Sequence, residues 1–288
     1  MKNILKIITV FIVIISLIGC IKKDNFEDIN IYTTVHTIEY ITNELYGEYS
    51  TINSIYPDGK DISEYTITNK KMDEFSNSEL FIYNGLSAEK QIAASLINKN
   101  RRINIIDVSQ GLEIKSEETE LWISPSNCLM IAQNIKNGLK EYVTNTSILD
   151  SIDQNYENLK IQISEFDAEL KLIAENAVNK NIIVANSSFD FLQKYGFEVI
   201  NISYEDEELS TTSFSKAKNA FSSNENSYLF VLQGTDTTSK DIKNLVNNGA
   251  TIVTINSMVN LTDEERENDQ NYMTFMKEFI DAIKTEVY

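Results

Sequence analysis

Residues 147–179 run without glycine or proline, and Ile148, Ile152, Leu159, Ile163, Phe166, Leu170, Ile173 and Ala177 recur among them at helical spacing. A stretch of that length with one continuous apolar stripe reads as a single stiff helix. Its flanks define its role. Short β-branched and aromatic runs at 31–35, 51–56, 80–83 and 103–108 alternate with helix-period segments before it, and the same alternation returns after it at 182–185, 199–203, 228–232 and 251–255. Strands that alternate with helical stretches signal parallel sheets covered by helices. The expected fold is therefore α/β: two lobes, 29–146 and 180–288, each with a mainly parallel β-sheet flanked by helices, joined by the rigid helix 147–179, with a cleft between them. In open parallel sheets ligands bind beyond the carboxyl ends of the strands, which directs attention to the segments after Val35, Tyr56, Tyr83, Val108, Ala185, Leu232 and Ile255.

The first residues are not part of that scheme. Lys2 and Lys6 precede an almost wholly apolar run, 7–18, which ends in Leu17-Ile18-Gly19-Cys20. About 20 apolar residues are needed to span a bilayer, so the shorter run followed at once by Lys22, Lys23 and Asp24 reads as a cleaved secretory signal, 1–19. The Cys20 thiol is placed to take a thioether-linked lipid, with 20–28 as the lipidated tether. The expected location is the extracytoplasmic face of the cytoplasmic membrane of a Gram-positive-type cell, held by the lipid anchor. Stable anchoring takes a second membrane contact, which further acyl chains supply.

With Cys20 assigned to lipid, Cys128 has no intramolecular disulfide partner and the fold must rest on its core. It lies near Leu129, Met130 and Ile135 on the helix that Pro125 opens, and is expected to be a buried, inert thiol. The formal charge is -18, and loss of Lys2 and Lys6 with the signal, which holds no acid, takes it to -20. That balance excludes nucleic acid, which requires a basic footprint. The acidic run from Glu205 to Glu208 reads as a solvated loop. No nucleophile elbow, His-Glu-x-x-His or phosphate loop is present, and the adjacent Glu117 and Glu118 lack the opposed geometry of a glycosidase, so the chain is not expected to be an enzyme.

The strand ends carry a resemblance that covers nearly the whole chain beyond Cys20. Thr33-Thr34-Val35-His36-Thr37-Ile38-Glu39-Tyr40, Tyr56-Pro57-Asp58-Gly59-Lys60-Asp61-Ile62-Ser63-Glu64-Tyr65, Leu80-Phe81-Ile82-Tyr83-Asn84-Gly85-Leu86, Ile106-Asp107-Val108-Ser109-Gln110-Gly111, Leu121-Trp122-Ile123-Ser124-Pro125 and Asn186-Ser187-Ser188-Phe189-Asp190-Phe191 follow one another in that order. Together they resemble the metal-binding solute receptors of ABC importers, the zinc and manganese family of two-lobed lipoproteins. The resemblance implies a receptor that presents its ligand to a membrane permease powered by a cytoplasmic ATPase, and a monomer is expected. It also implies a metal held by three histidines and one carboxylate. Position by position, Ser63, Glu120 and Asn186 stand where the histidines belong and Asn256 stands where the acid belongs.

Only Glu120 keeps a strong ligand for a divalent cation, because neutral hydroxyl and amide oxygens have little affinity for zinc. Three readings stay open. The cleft takes a divalent cation, zinc, manganese or a harder ion, on oxygens, with Glu120 joined by Asp61, Asp58 or Asp236. Or it takes a polar organic ligand or a metal complex. Or it is vestigial, and the protein is an adhesin or partner-docking lipoprotein. His36, the single histidine, and Trp122 are further cleft candidates. The more ordinary roles for them are a half-buried turn histidine and a wall between lobe and helix.

Overall fold

The computed structural model describes residues 26–62, 64–113, 120–203 and 206–288; Cys20, the expected signal 1–19 and Ser63 lie outside them. The first half holds β1 Ile29–Thr33, α1 His36–Tyr46, β2 Ser50–Ser54, α2 Asn69–Ser76, β3 Leu80–Tyr83, α3 Glu89–Lys99, β4 Asn104–Asp107 and α4 Pro125–Tyr142. Helix α5, Thr146–Asn176, follows. The second half holds β5 Asn181–Val184, β6 Glu198–Asn201, α6 Glu207–Ser222, β7 Tyr228–Leu232, α7 Lys240–Asn247, β8 Thr251–Ile255, α8 Asp263–Glu267 and α9 Tyr272–Val287. Two four-stranded sheets result, ordered β2-β1-β3-β4 and β6-β5-β7-β8, with every pairing parallel. All eight expected strands form.

Alternation within the central strands explains the layering. In β3, Leu80 and Ile82 face a large core shared with α1, α4, α5 and α9, while Phe81 and Tyr83 face a smaller core under α2 and α3. β7 repeats the pattern: Phe230 and Leu232 join the large core, and Leu229 and Val231 pack under α6 and α7. Both faces of these strands are thus buried, which is why they read as continuous apolar runs. The large core runs from Ile29 to Val287 without a break between the halves. Its bridge is α5, whose buried stripe Ile148, Ile152, Leu159, Ile163, Phe166 and Leu170 matches the sequence periodicity.

Local signals set the ends. Asn145 caps α5 by accepting from the Ser147 amide at 3.0 Å, and Pro125 opens α4 at the position where its missing N–H costs least. Several expectations are corrected: β2 ends at Ser54 rather than 56, β6 at Asn201 rather than 203, and α5 at Asn176 rather than 179. The first strand ends at Thr33, two residues early, because Val35 leaves the sheet in an extended conformation to start α1. And the loop expected over 205–208, of which Glu205 lies outside the described residues, is not one: Asp206 accepts from the Leu209 amide at 2.9 Å and caps α6, with Glu208 in its first turn, where the helix dipole favours negative charge.

At Gly138, α4 packs tightly against Ile106 of β4. A Cβ there would lie 2.6–2.9 Å from three side-chain atoms of Ile106. Overpacking costs about 1–3 kcal/mol, and the helix propensity gained by alanine returns about 1 kcal/mol. Gly138→Ala is accordingly expected to destabilise by about 1 kcal/mol net, read as a lower urea midpoint at constant slope. A stabilised variant would show that Ile106 yields freely.

Candidate functional site

The carboxyl ends of both sheets converge on a cavity of about 560 Å³ between the lobes. In the second sheet the strand order reverses between β5 and β7, and the cavity wall comes from the residues directly after those strands: Asn186 beyond β5, and Gln233, Gly234 and Thr235 beyond β7. Gly234 has φ +92, which lets the chain turn sharply at the strand end, with the Thr235 amide bonded to the Leu232 carbonyl at 3.0 Å. The first lobe contributes Gly59 to Ile62, beyond β2, and Glu120, which precedes the 3-10 turn Leu121–Ile123. Among the described residues, the charged lining residues Lys60, Asp61 and Glu120 all belong to the first lobe, and the second lobe presents amides, hydroxyls and aliphatic groups.

Glu120 and Asn186, expected from opposite lobes, do meet at this cavity. The Ser188 hydroxyl donates to Glu120 Oε2 at 3.1 Å, and Asn186 Oδ1 accepts from the Ser188 amide at 2.7 Å. Asn256 is engaged elsewhere: its Nδ2 donates to Glu265 Oε1 at 2.8 Å and its Oδ1 accepts from the Met258 amide at 2.7 Å. Asp61 lines the cavity. Asp58 is committed to a two-bond ion pair with Arg266, at 2.8 Å each. Asp236 is exposed and turned onto Thr238, whose hydroxyl and amide both donate to it and hold its carboxyl below the usual carboxylate range. Among the described residues, no group of three or more His, Cys, Asp or Glu side chains is placed to hold a metal ion.

Trp122 is a strut, 3% exposed, whose indole N–H donates across the cleft to the Ser257 carbonyl at 2.8 Å. Beside it Cys128 is fully enclosed, and burial pushes its thiol up to about 12, against reactivity. His36 does not line the cavity. It borders a second hollow of about 400 Å³, with Glu39, Glu44 and Arg266. There its Nδ1 lies 3.3 Å from Glu39 Oε2 and its Nε2 is buried without a partner.

The lobes are joined across the cleft by main chain. The amides of His36 and Thr37, at the start of α1, donate to the carbonyls of Val259 and Met258 at 2.8 and 3.2 Å, and the Gly59 amide donates to Leu261 at 2.7 Å. Asn260 Nδ2 donates to the carbonyls of Pro57 and Lys60 at 2.7 and 3.0 Å. The segment after β8 therefore serves as the back wall of the cavity and as a fastening between lobes. Gln233, Thr235, Lys60 and Arg266 were not singled out as site residues from sequence. For Gln233 and Thr235 the signal existed, since they directly follow a strand of the second sheet at its switch point.

The family model described as ZnuA, zinc-uptake complex component A periplasmic, matches residues 31–286. A metal ABC transporter substrate-binding lipoprotein of Lactococcus lactis subsp. lactis (strain IL1403) is 27% identical over 214 residues, spanning 67% of this chain and 68% of that one. The high-affinity zinc uptake system protein ZnuA of Bacillus subtilis (strain 168) is 22% identical over 291 residues, spanning 90% and 87%. Among solved structures, the metal-dependent lipoprotein YcdH from Bacillus subtilis superposes with a TM-score of 0.73 at 18% identity, covering 90% of this chain and 99% of that one, which supports the two-lobed fold.

Proposed function

The chain belongs to the zinc-uptake complex component A family, and from that membership we propose that it is the extracytoplasmic receptor of an ABC importer, tethered by a lipid on Cys20, with its metal-ligand set substituted. The observation that carries this reading is the interlobe cavity of about 560 Å³, to which Glu120 and Asn186 are brought from opposite lobes. In this reading the family's ligand positions are kept while the chemistry at them has changed. Of the matched positions within the described residues, Glu120 alone offers a carboxylate. Asn186 and Asn256 each commit their amide oxygen to a backbone N–H. One carboxylate with neutral neighbours is a poor zinc site. In this reading the receptor hands its ligand to a membrane permease, and catalysis has no part in it.

A ligand that binds only the folded chain raises its stability by about 2.7 kcal/mol at 100 times its Kd. We expect a thermal-shift screen of divalent cations, their chelates and small polar solutes to find such a ligand. Replacing Glu120 with alanine should then weaken it about tenfold, as loss of a charge-assisted bond of about 1.4 kcal/mol does. Silence across the whole screen would instead favour a surface-docking or adhesive lipoprotein with a vestigial cleft.

A further inference from the structure

Three nitrogen donors around the cavity are left without partners within the described structure. Asn186 and Gln233 each spend their side-chain oxygen on a local bond: Asn186 Oδ1 accepts from the Ser188 amide, and Gln233 Oε1 accepts from the Ser257 amide and hydroxyl at 3.3 and 3.4 Å. Those bonds also fix the orientation of both amides, so it is the NH2 groups that remain. Asn186 Nδ2, Gln233 Nε2 and the Lys60 ammonium make no hydrogen bond or ion pair within the described structure, and all three residues line the same cavity. A bare cation finds no use for any of them. A carboxylate matches them, since it accepts up to about four hydrogen bonds and gains most from a charged donor.

An anion alone is opposed by the other charges on the wall. Asp61 and Glu120 line the cavity beside Lys60, leaving the three with a formal charge of one negative. Glu120 Oε2 accepts from Ser188, and a carboxylate retains capacity for further donors. A ligand carrying both signs satisfies both sets of groups. Its cationic group would face Glu120 and Asp61 of the first lobe, its carboxylate would bridge Lys60 and the second-lobe amides of Asn186 and Gln233, and its uncharged body would lie against Leu232, Val259 and Leu261. The volume suits such a molecule too, falling within the range of about 300–1,000 Å³ for small-molecule sites.

Resting on the receptor reading above, we propose that the cargo is a zwitterionic organic molecule of amino-acid to dipeptide size, its carboxylate held by Lys60, Asn186 and Gln233 and its cationic end by Glu120 and Asp61. The cationic end is an ammonium in the free molecule, or a divalent ion when the molecule arrives as a chelate.

Titration calorimetry on the full-length chain in detergent tests this, with the twenty α-amino acids and alanyl-alanine as probes, each with and without zinc or manganese. Propionate and ethylamine serve as single-charge controls. At least one zwitterion should bind at least tenfold tighter than either control, and Lys60→Ala and Glu120→Gln should each weaken it tenfold or more while the unliganded melting curve stays unchanged. Binding seen only with the metal present supports the chelate form. If zinc or manganese alone binds and every zwitterion is silent, the proposal is overturned while the receptor reading stands. If nothing binds at all, both fall. Binding unaffected by Lys60→Ala would also overturn the proposal.

Discussion

Trp122→Ala should cost about 3–5 kcal/mol, the usual range for emptying a buried aromatic site. The upper part of that range is expected because the residue holds both lobes at once. Its indole N–H reaches the Ser257 carbonyl in the second lobe, its own carbonyl receives the Tyr272 hydroxyl from α9 at 3.0 Å, and Tyr272 is fully buried. Truncation opens a void at the junction and strands the Ser257 carbonyl. Trp122→Phe separates the two effects: most of the ring volume stays, and the unmade bond should cost about 1–3 kcal/mol. Urea unfolding followed by circular dichroism reads both. Equal losses for the two variants would show that the hydrogen bond, not the packing, carries the joint, and no loss in either would remove Trp122 as a strut. Because Ser257 also lines the cavity, ligand affinity should fall with stability in the alanine variant.

Much of the fold was written in local sequence, and the reasons are physical. The central strands β3 and β7 are buried on both faces, so each appears as an unbroken apolar run, and α5 carries a stripe at one period with no breaker inside it. Errors fell at ends. Val35 looks like strand by composition, yet the next helix begins one residue later, and this depends on where Met258 and Val259 can accept the His36 and Thr37 amides from the far lobe. No local pattern encodes that. The site was legible to the same degree. Glu120 and Asn186, expected at the cleft, both line the cavity: Asn186 directly follows β5, and Glu120 stands just before the turn Leu121–Ile123. Asn256, expected at the cleft from the resemblance, turns to Glu265, since α8 places that carboxylate within reach of its amide. His36 was drawn toward the cleft by its place after a strand, whereas the helix it starts carries its ring to the opposite side of the fastening, against Glu39.

Arg266 holds that side closed. From α8 in the second lobe it meets two first-lobe acids, Asp58 at 2.8 Å and Glu39 at 3.1 Å. Burial pushes the Glu39 carboxyl up, but the bond to His36 and the charge and bonds of Arg266 outweigh it and hold the group below the ordinary carboxylate value. A carboxyl with a depressed folded pKa contributes stability at all pH above its unfolded value, about 4.3, and loses it as pH falls through the folded one. Removing one partner of a buried pair costs about 3–5 kcal/mol. Here the arginine is 42% exposed, so solvent screens the pair, and Arg266→Ala should cost about 2 kcal/mol at pH 7. The deficit must shrink as pH falls below the unfolded carboxylate value and through the lowered folded value of Glu39, where the charge that Arg266 neutralises on that group is lost. Arg266→Lys should fall between, since an ammonium cannot reproduce the two-bond fork on Asp58. Urea midpoints for the three proteins at neutral and acid pH decide the matter. A deficit that stays constant with pH would mean that Arg266 acts through the packing of its stem, and that the ionic fastening between the lobes contributes nothing.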